Sequence, residues 1–175
     1  SQSRDKIANL SPYSFFNAIA ELPPMVMFIS APDAREENKG GHKDSLANIL
    51  ETGEFGVNIV GIAQAEQMVK TSRNVTSNTD EFELAGLEKK SAEKISVPLV
   101  ADAPAHLECK YYDHITLPKN GSGQHSVMVM GTIVGIHIND AVIKDGRIDV
   151  SMYQPVARLG YKDYASIHDV FEMTP

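Results

Sequence analysis

The chain has 175 residues, and its 16 basic against 23 acidic side chains give a formal net charge of -7. An acidic chain with no stripe of clustered Lys and Arg is a poor match for nucleic acid or an anionic membrane, so neither is expected as a partner. Hydrophobic residues at 42% and charged residues at 22% exclude an intrinsically disordered polymer and suit one domain, residues 1–175, with its own core.

Residues 1–8, S-Q-S-R-D-K-I-A, read as the polar tip and second half of a hairpin whose first strand is missing from this sequence. These first residues do not read as a signal peptide, and a leader ahead of them would not be visible in this sequence. Next comes N-L-S-P-Y-S-F-F-N-A, residues 9–18, with three aromatics, two serines and two asparagines about a proline. Pro12 fixes its own φ and pushes Ser11 toward an extended conformation. Ser14 can then cap a short helix over Phe15 to Ala20, leaving backbone N–H groups near Tyr13 to Phe16 free at a helix start. A flat, polar-edged ligand can use those donors and the aromatic faces. A capped turn anchored in the core by Phe15 and Phe16 accounts for the same composition.

Pro23 and Pro24 end that helix, and the short apolar run Met25 to Ser30 predicts a buried strand. A charged loop from Ala31 to His42 leads to a helix with Asp44 or Ser45 as cap, Leu46, Ile49 and Leu50 on one face, and Gly53 as terminator. Phe55 to Val60 follows as a strand. Over Ile62 to Ser72 the spacing of Ile62, Ala65 and Val69 suits a helix with a polar outer face. A polar loop from Arg73 to Asp80 and a short helix to Leu87, capped by Thr79 or Asp80, come next, and Lys89 to Lys94 reads as a solvated charged patch.

Ala105 to Leu117 alternates as a long strand, with Leu107, Cys109, Tyr111, Ile115 and Leu117 inward and His106, Glu108, Lys110, Tyr112 and His114 on the other face. Cys109, the single cysteine, is placed as a buried structural thiol; lack of a second cysteine excludes an internal disulfide and fits a reducing, cytoplasmic setting. After a turn over Pro118 to Gln124, Ser126 to Ile138 is the strongest strand, apolar on both faces, with Gly131 and Gly135 marking bends or bulges. K-D-G-R, residues 144–147, predicts a two-residue hairpin turn. Gln154 to Tyr164 reads as irregular, and a short helix is expected from Ser166. No apolar run approaches the roughly 20 residues of a membrane span. Strands outnumber helices and turns are short, which predicts a mainly β fold, a closed antiparallel barrel with a few flanking helices.

The decapeptide N-L-S-P-Y-S-F-F-N-A resembles the signature of the flavin reductase-like, FMN-binding split-barrel proteins, a group that includes flavoredoxin and the flavin reductase components of two-component monooxygenases. M-V-M-F-I-S (25–30), K-D-S-L-A-N-I-L-E-T-G-E-F-G-V-N-I-V (43–60), E-F-E-L-A-G-L (81–87), H-L-E-C-K (106–110), G-T-I-V-G-I-H-I-N-D (131–140) and P-V-A-R-L-G (155–160) extend the resemblance in the family's order across nearly the whole chain. It implies an antiparallel Greek-key-like split barrel, and FMN at the seam of a homodimer. It also implies an NAD(P)H:flavin oxidoreductase, with NAD(P)H as transient co-substrate, that passes electrons to free flavin or to a redox partner such as a monooxygenase. A flavoredoxin-like electron carrier without its own NAD(P)H oxidation is the alternative. Relatives usually carry a Pro-Arg-Pro-like segment and a first barrel strand ahead of the point where this sequence begins.

Lys43, Asp44 and Ser45 stand at a helix N-terminus, where free N–H groups, a hydroxyl and an ammonium can together hold a phosphate dianion; a plain capping arrangement uses the same residues. The resemblance implies that Lys43 and Ser45 contact the FMN phosphate with Ser30 nearby, while Asp44 caps, since two anions repel. It assigns Asn9, Ser11, Pro12, Tyr13, Ser14 and Asn17 to the ribityl chain and the isoalloxazine edge, where aligned donors stabilise the negative charge that reduction brings. Arg158, with Tyr161 beside it, is a second cation for the phosphate or the pyrimidine ring, or else a surface ion-pair partner. The six histidines give no metal-site spacing, and no Rossmann, P-loop or nucleophile-elbow motif occurs.

Overall fold

Two strands that are apolar on both faces must lie side by side in the middle of a sheet, and the computed structural model, which describes residues 1–174, places them there. In chain order the elements are β1 (Phe16–Glu21), β2 (Pro24–Ser30), α1 (Asp44–Thr52), β3 (Glu54–Asn58), α2 (Ala65–Lys70) and α3 (Glu81–Ala85). Then come β4 (Lys89–Lys90), β5 (Leu99–Val100), β6 (Ala105–Lys119), β7 (His125–Ile138), β8 (Ile143–Lys144), β9 (Arg147–Ile148), α4 (Val150–Tyr153), β10 (Val156–Arg158) and β11 (Tyr164–Ser166). The main sheet is antiparallel with strand order β1-β2-β7-β6-β3, so β2, β7 and β6 are inner strands and β1 and β3 the edges.

One face of this sheet supplies the larger core. Val26 and Phe28 on β2, Val127 and Val129 on β7, and Cys109 on β6 pack on Phe55 and on Leu46 and Ile49 of α1. A second, smaller core gathers Ala8, Phe82, Val100 and Ala103 with Leu10 and Leu87. The glycine at position 131 is dictated by packing, because a Cβ there would collide with the Phe55 ring. Asp145 and Gly146 both take positive φ, 51° and 77°, and form the expected two-residue turn between β8 and β9. No helix of the described residues is long and apolar enough to cross a membrane.

Several elements differ from expectation. Phe15 to Ala20 is not a helix: β1 pairs with β2 from Phe16↔Phe28 to Glu21↔Pro24, and Pro23 and Pro24 turn a hairpin instead of ending a helix. An isolated six-residue helix is marginal in water, whereas the unpaired edge of β2 offers ladder bonds to any extended neighbour. The region from Ile62 starts as a 3-10 turn before α2, and its exposure is reversed: Ile62 and Val69 point outward while Thr71 is buried. Gln154 to Tyr164 contains β10, which pairs with β11, and Ser166 ends that hairpin instead of starting a helix.

Along β6 the alternation holds as far as Tyr111. The register shift between Glu108 and Cys109 puts its extra residue, Val134, on β7, and Leu107, Cys109 and Tyr111 face the larger core. The other face leaves Lys110, Tyr112 and His114 exposed but is covered at His106 and Glu108. What covers it is the segment read as a charged patch: the N–H groups of Glu93, Lys94 and Ile95 donate to the Glu108 carboxylate at 2.9, 2.6 and 3.0 Å. A second register shift between Tyr111 and Asp113 sends Ile115 outward, against its inward placement. Cys109 is buried as expected, and burial pushes its thiol up to about 12.

Candidate functional site

The segment 9–14 is held open by contacts that reach far along the chain. The Leu10 N–H donates to Glu81 Oε2 at 3.0 Å, tying the segment to α3. Burial raises the Glu81 carboxyl above its usual range, opposed by that N–H and reinforced by the charges of Asp44 and Asp80. Asn9 Nδ2 donates to Ser45 Oγ at 2.8 Å, tying it to the first turn of α1. With Asn9 and Leu10 tied in opposite directions, to α1 and to α3, the segment borders a cavity of about 640 Å³.

Its wall is chemically divided. Asn9, Ser11, Tyr13, Ser14 and Ser45 give one hydroxyl- and amide-bearing end, Phe28, Phe55 and Val57 give an apolar wall, and Met68 and Thr71 line it from α2. Arg158 and Tyr164 of the β10–β11 hairpin complete the lining. The Tyr13 ring rests on Phe28 with centroids 4.4 Å apart. Its hydroxyl is buried beside Ser45, Ser30 and Ser11 but makes no hydrogen bond of good geometry among the described residues. Burial raises the Tyr13 hydroxyl above the ordinary tyrosine value, with the three serines opposing it. A buried polar atom with no partner is uncommon and marks a place where a ligand group can supply one.

The start of α1 is chemically open too. Lys43 is its N-cap residue in extended conformation, and the helix has no side-chain cap. Asp44, expected as cap, is instead drawn away: both its oxygens accept from the Arg35 guanidinium at 2.8 Å, and Ser77 Oγ donates to it at 2.8 Å. The first N–H groups of α1 therefore have no acceptor side chain of their own, and they sit on the helix carrying Ser45 at the cavity wall.

Of the residues singled out in the sequence, Asn9, Ser11, Pro12, Tyr13, Ser14, Ser45 and Arg158 line this one cavity. Ser30 is buried behind Tyr13, at the end of β2. Asn17 lies elsewhere, exposed on β1 opposite Met27, and Lys43 and Asp44 stand at the helix start outside the lining. Arg158 donates to Tyr164 Oη at 2.8 Å and to the Tyr161 carbonyl, and lies 4.8 Å over the Tyr164 ring. The contribution of Met68 and Thr71 was hidden because the positions used to orient that helix, Ile62 and Val69, are the exposed ones, and Arg35 was hidden in a loop of many charges.

The arrangement offers an aromatic and aliphatic slot with hydrogen-bonding groups at one edge and an uncapped helix beside it. Such a slot suits a planar heteroaromatic group that carries an anionic tail. Among the described residues no group of three His, Cys, Asp or Glu side chains is placed to hold a metal ion.

Comparison with known proteins gives the family and the fold. The chain is 31% identical to nitrilotriacetate monooxygenase component B from Bacillus cereus, matching 99% of this chain and 83% of that one with a TM-score of 0.89. It is 32% identical to the 2-nitrobenzoate 2-nitroreductase of Pseudomonas fluorescens over 100% of this chain and 81% of that one, TM-score 0.84. A protein of Aquifex aeolicus is 32% identical over 163 residues, 93% of this chain and 78% of its own length. Flavoredoxin of Desulfovibrio vulgaris, at 19% identity and TM-score 0.80 over 98% of this chain and 85% of that one, shares the fold. The model of the flavin reductase like domain matches residues 2–157, and the chain belongs to that family, with its split-barrel fold.

Proposed function

We propose that the cavity binds FMN and that the protein is a flavin-dependent oxidoreductase taking hydride from NAD(P)H and delivering electrons to free flavin or a partner protein. The observation that carries this reading is the convergence of Asn9, Tyr13 and Ser45, thirty-six residues of sequence apart at its ends, on one cavity wall with the Tyr13 hydroxyl left unpartnered. Phe28 and Phe55 would face the ring system, and Ser11, Tyr13 and Ser14 its polar edge. Ser45, the open turn of α1 and Lys43 would take the phosphate, with Arg158 as a further cation. When bound, the flavin supplies hydride acceptance and electron delivery; the protein's own groups position it, stabilise negative charge by oriented dipoles and keep water from the apolar wall.

The same reading includes a homodimer. The sheet face opposite the core carries Met25, Met27 and Ile29 of β2 beside Met128 and Met130 of β7, all half-buried. An apolar sheet face of that length suits a second copy of the chain. A redox partner such as a monooxygenase component is in keeping with the name of the Bacillus cereus relative.

The test is the visible absorption of the purified protein, identification of the cofactor released on denaturation, and NADH and NADPH oxidation with added FMN. A flavin spectrum, released FMN and turnover with either donor support the reading. FMN binding with turnover from neither donor makes the protein an electron carrier, and failure to bind FMN at all removes the proposal.

A further inference from the structure

Arg35 lies in the loop between β2 and α1, yet only 9% of its side chain is exposed. Its Nε and Nη2 grip Asp33 Oδ2 at 2.9 and 2.5 Å, and Nη1 and Nη2 grip the two oxygens of Asp44 at 2.8 Å each. Nη1 also reaches the Val75 carbonyl and Ser77 Oγ at 3.0 Å. The fork is thus fully engaged within the protein and has no donor to spare for a ligand. It nevertheless joins the loop before α1, the first residue of α1 and the loop before α3.

We infer that Arg35 is a positioning residue for the anion-binding end of the cavity, a role that rests on the FMN reading above. An aspartate in the first helical turn ordinarily turns back toward the free N–H groups. Here the bidentate fork holds Asp44 in another direction, α1 has no side-chain cap, and Ser45 of its first turn lines the cavity. Arg35 also offsets charge. Without it Asp33 and Asp44 would be two unpaired carboxylates beside the site of a dianion, and like charges repel across such distances. A planar guanidinium can bind two carboxylates side by side; a lysine ammonium cannot reproduce that geometry.

The experiment compares FMN with riboflavin, which lacks the phosphate, by flavin fluorescence titration of wild type, Arg35→Gln, Arg35→Lys and Arg35→Gln/Asp44→Asn. Wild type prefers FMN. Arg35→Gln lowers FMN affinity by about tenfold or more while riboflavin affinity changes by less than about twofold, since only the phosphate contacts depend on the fork. Removing the freed charge in the double variant restores part of the FMN preference, by about threefold or more. Arg35→Lys, which keeps the charge and folds more readily, still loses about threefold or more of the preference. A wild type with no preference for FMN overturns the phosphate site itself and this role with it. A wild type that prefers FMN beside arginine variants that keep the same preference, or that lose both flavins equally, overturns the Arg35 role alone.

Discussion

Asn9 and Ser45 meet across 36 residues of sequence, Nδ2 donating to Oγ at 2.8 Å, and this bond joins the opening segment to the first turn of α1. Both residues are buried, so the bond is exchanged for no water when either partner is truncated. Asn9→Ala should therefore cost about 1–3 kcal/mol of folding stability, the range for an orphaned buried polar group. It should also weaken FMN binding, because the cavity wall is no longer fixed. Urea unfolding of the ligand-free protein and an FMN titration check the two effects separately; loss of stability without loss of FMN affinity would detach this bond from the site.

Tyr13 predicts the opposite pairing of effects. Its hydroxyl is buried without a hydrogen bond of good geometry, so in the ligand-free protein that oxygen is a cost. Tyr13→Phe should leave stability unchanged or raise it by up to about 1 kcal/mol while weakening FMN binding by about 0.5–1.5 kcal/mol, the net worth of one hydrogen bond. Thermal unfolding without ligand and fluorescence titration with FMN give both numbers. A variant less stable than wild type would show that the hydroxyl already has a structural partner.

Much of this site was legible because its chemistry is local. Ser11, Pro12, Tyr13 and Ser14 are consecutive, Ser45 follows a readable helix start, and the fold class follows from the apolar runs of β2 and β7. What stayed hidden depends on pairing between distant segments. Phe16 to Glu21 has no strong preference of its own, and only the free edge of β2 makes it a strand. Glu108 is inside because a distant segment, Glu93 to Ile95, closes over its face of β6, and nothing in the period-2 pattern of β6 marks that cover. Asp44 looks like a cap until Arg35, itself indistinguishable from other loop charges, takes it away.

Lys43 stands beside the uncapped turn of α1 with no acidic partner among the described ion pairs. If it serves the phosphate, Lys43→Ala weakens FMN binding by about 1–3 kcal/mol and riboflavin binding hardly at all. The FMN effect should also shrink as salt rises, since a surface ammonium is screened. Equal FMN affinity in the variant and wild type would take Lys43 out of the site.

Packing at Gly131 gives a test that involves no ligand. Any side chain at this position meets the Phe55 ring and approaches the Lys110 carbonyl. Gly131→Ala should destabilise by about 1–3 kcal/mol through overpacking, and Phe55→Leu, which is itself destabilising, should cost less in that background than in wild type. A double-mutant cycle by denaturant unfolding reads the coupling, and strictly additive effects would contradict the contact.

Two buried groups on β6 contribute to how stability responds to pH. His106 is buried with Nε2 2.6 Å from the Val100 carbonyl, and its Nδ1 has no partner among the described residues. Burial lowers its pKa below the ordinary 6.5, with the Val100 carbonyl and Glu108 opposing and Lys90 and His137 reinforcing. The folded state therefore prefers the neutral ring, and its contribution, complete above about pH 6.5, is lost as pH falls through the depressed folded value. Glu108 responds lower on the scale. Burial alone would raise its carboxyl, but the N–H groups of Glu93 and Lys94, the His137 ring and the Ile95 N–H outweigh it and hold the pKa below the ordinary 4.5. Its contribution is present above about pH 4.5 and lost below that. Urea midpoints should thus fall in two stages on acidification. His106→Gln, which keeps an N–H donor for Val100, should abolish the first stage, and Glu108→Gln the second, at a cost near neutral pH of about 2–3 kcal/mol for lost charge-assisted bonds. If the first stage survives in His106→Gln, another group carries the transition, such as the buried Ser1 amine, which burial pushes down to about 5.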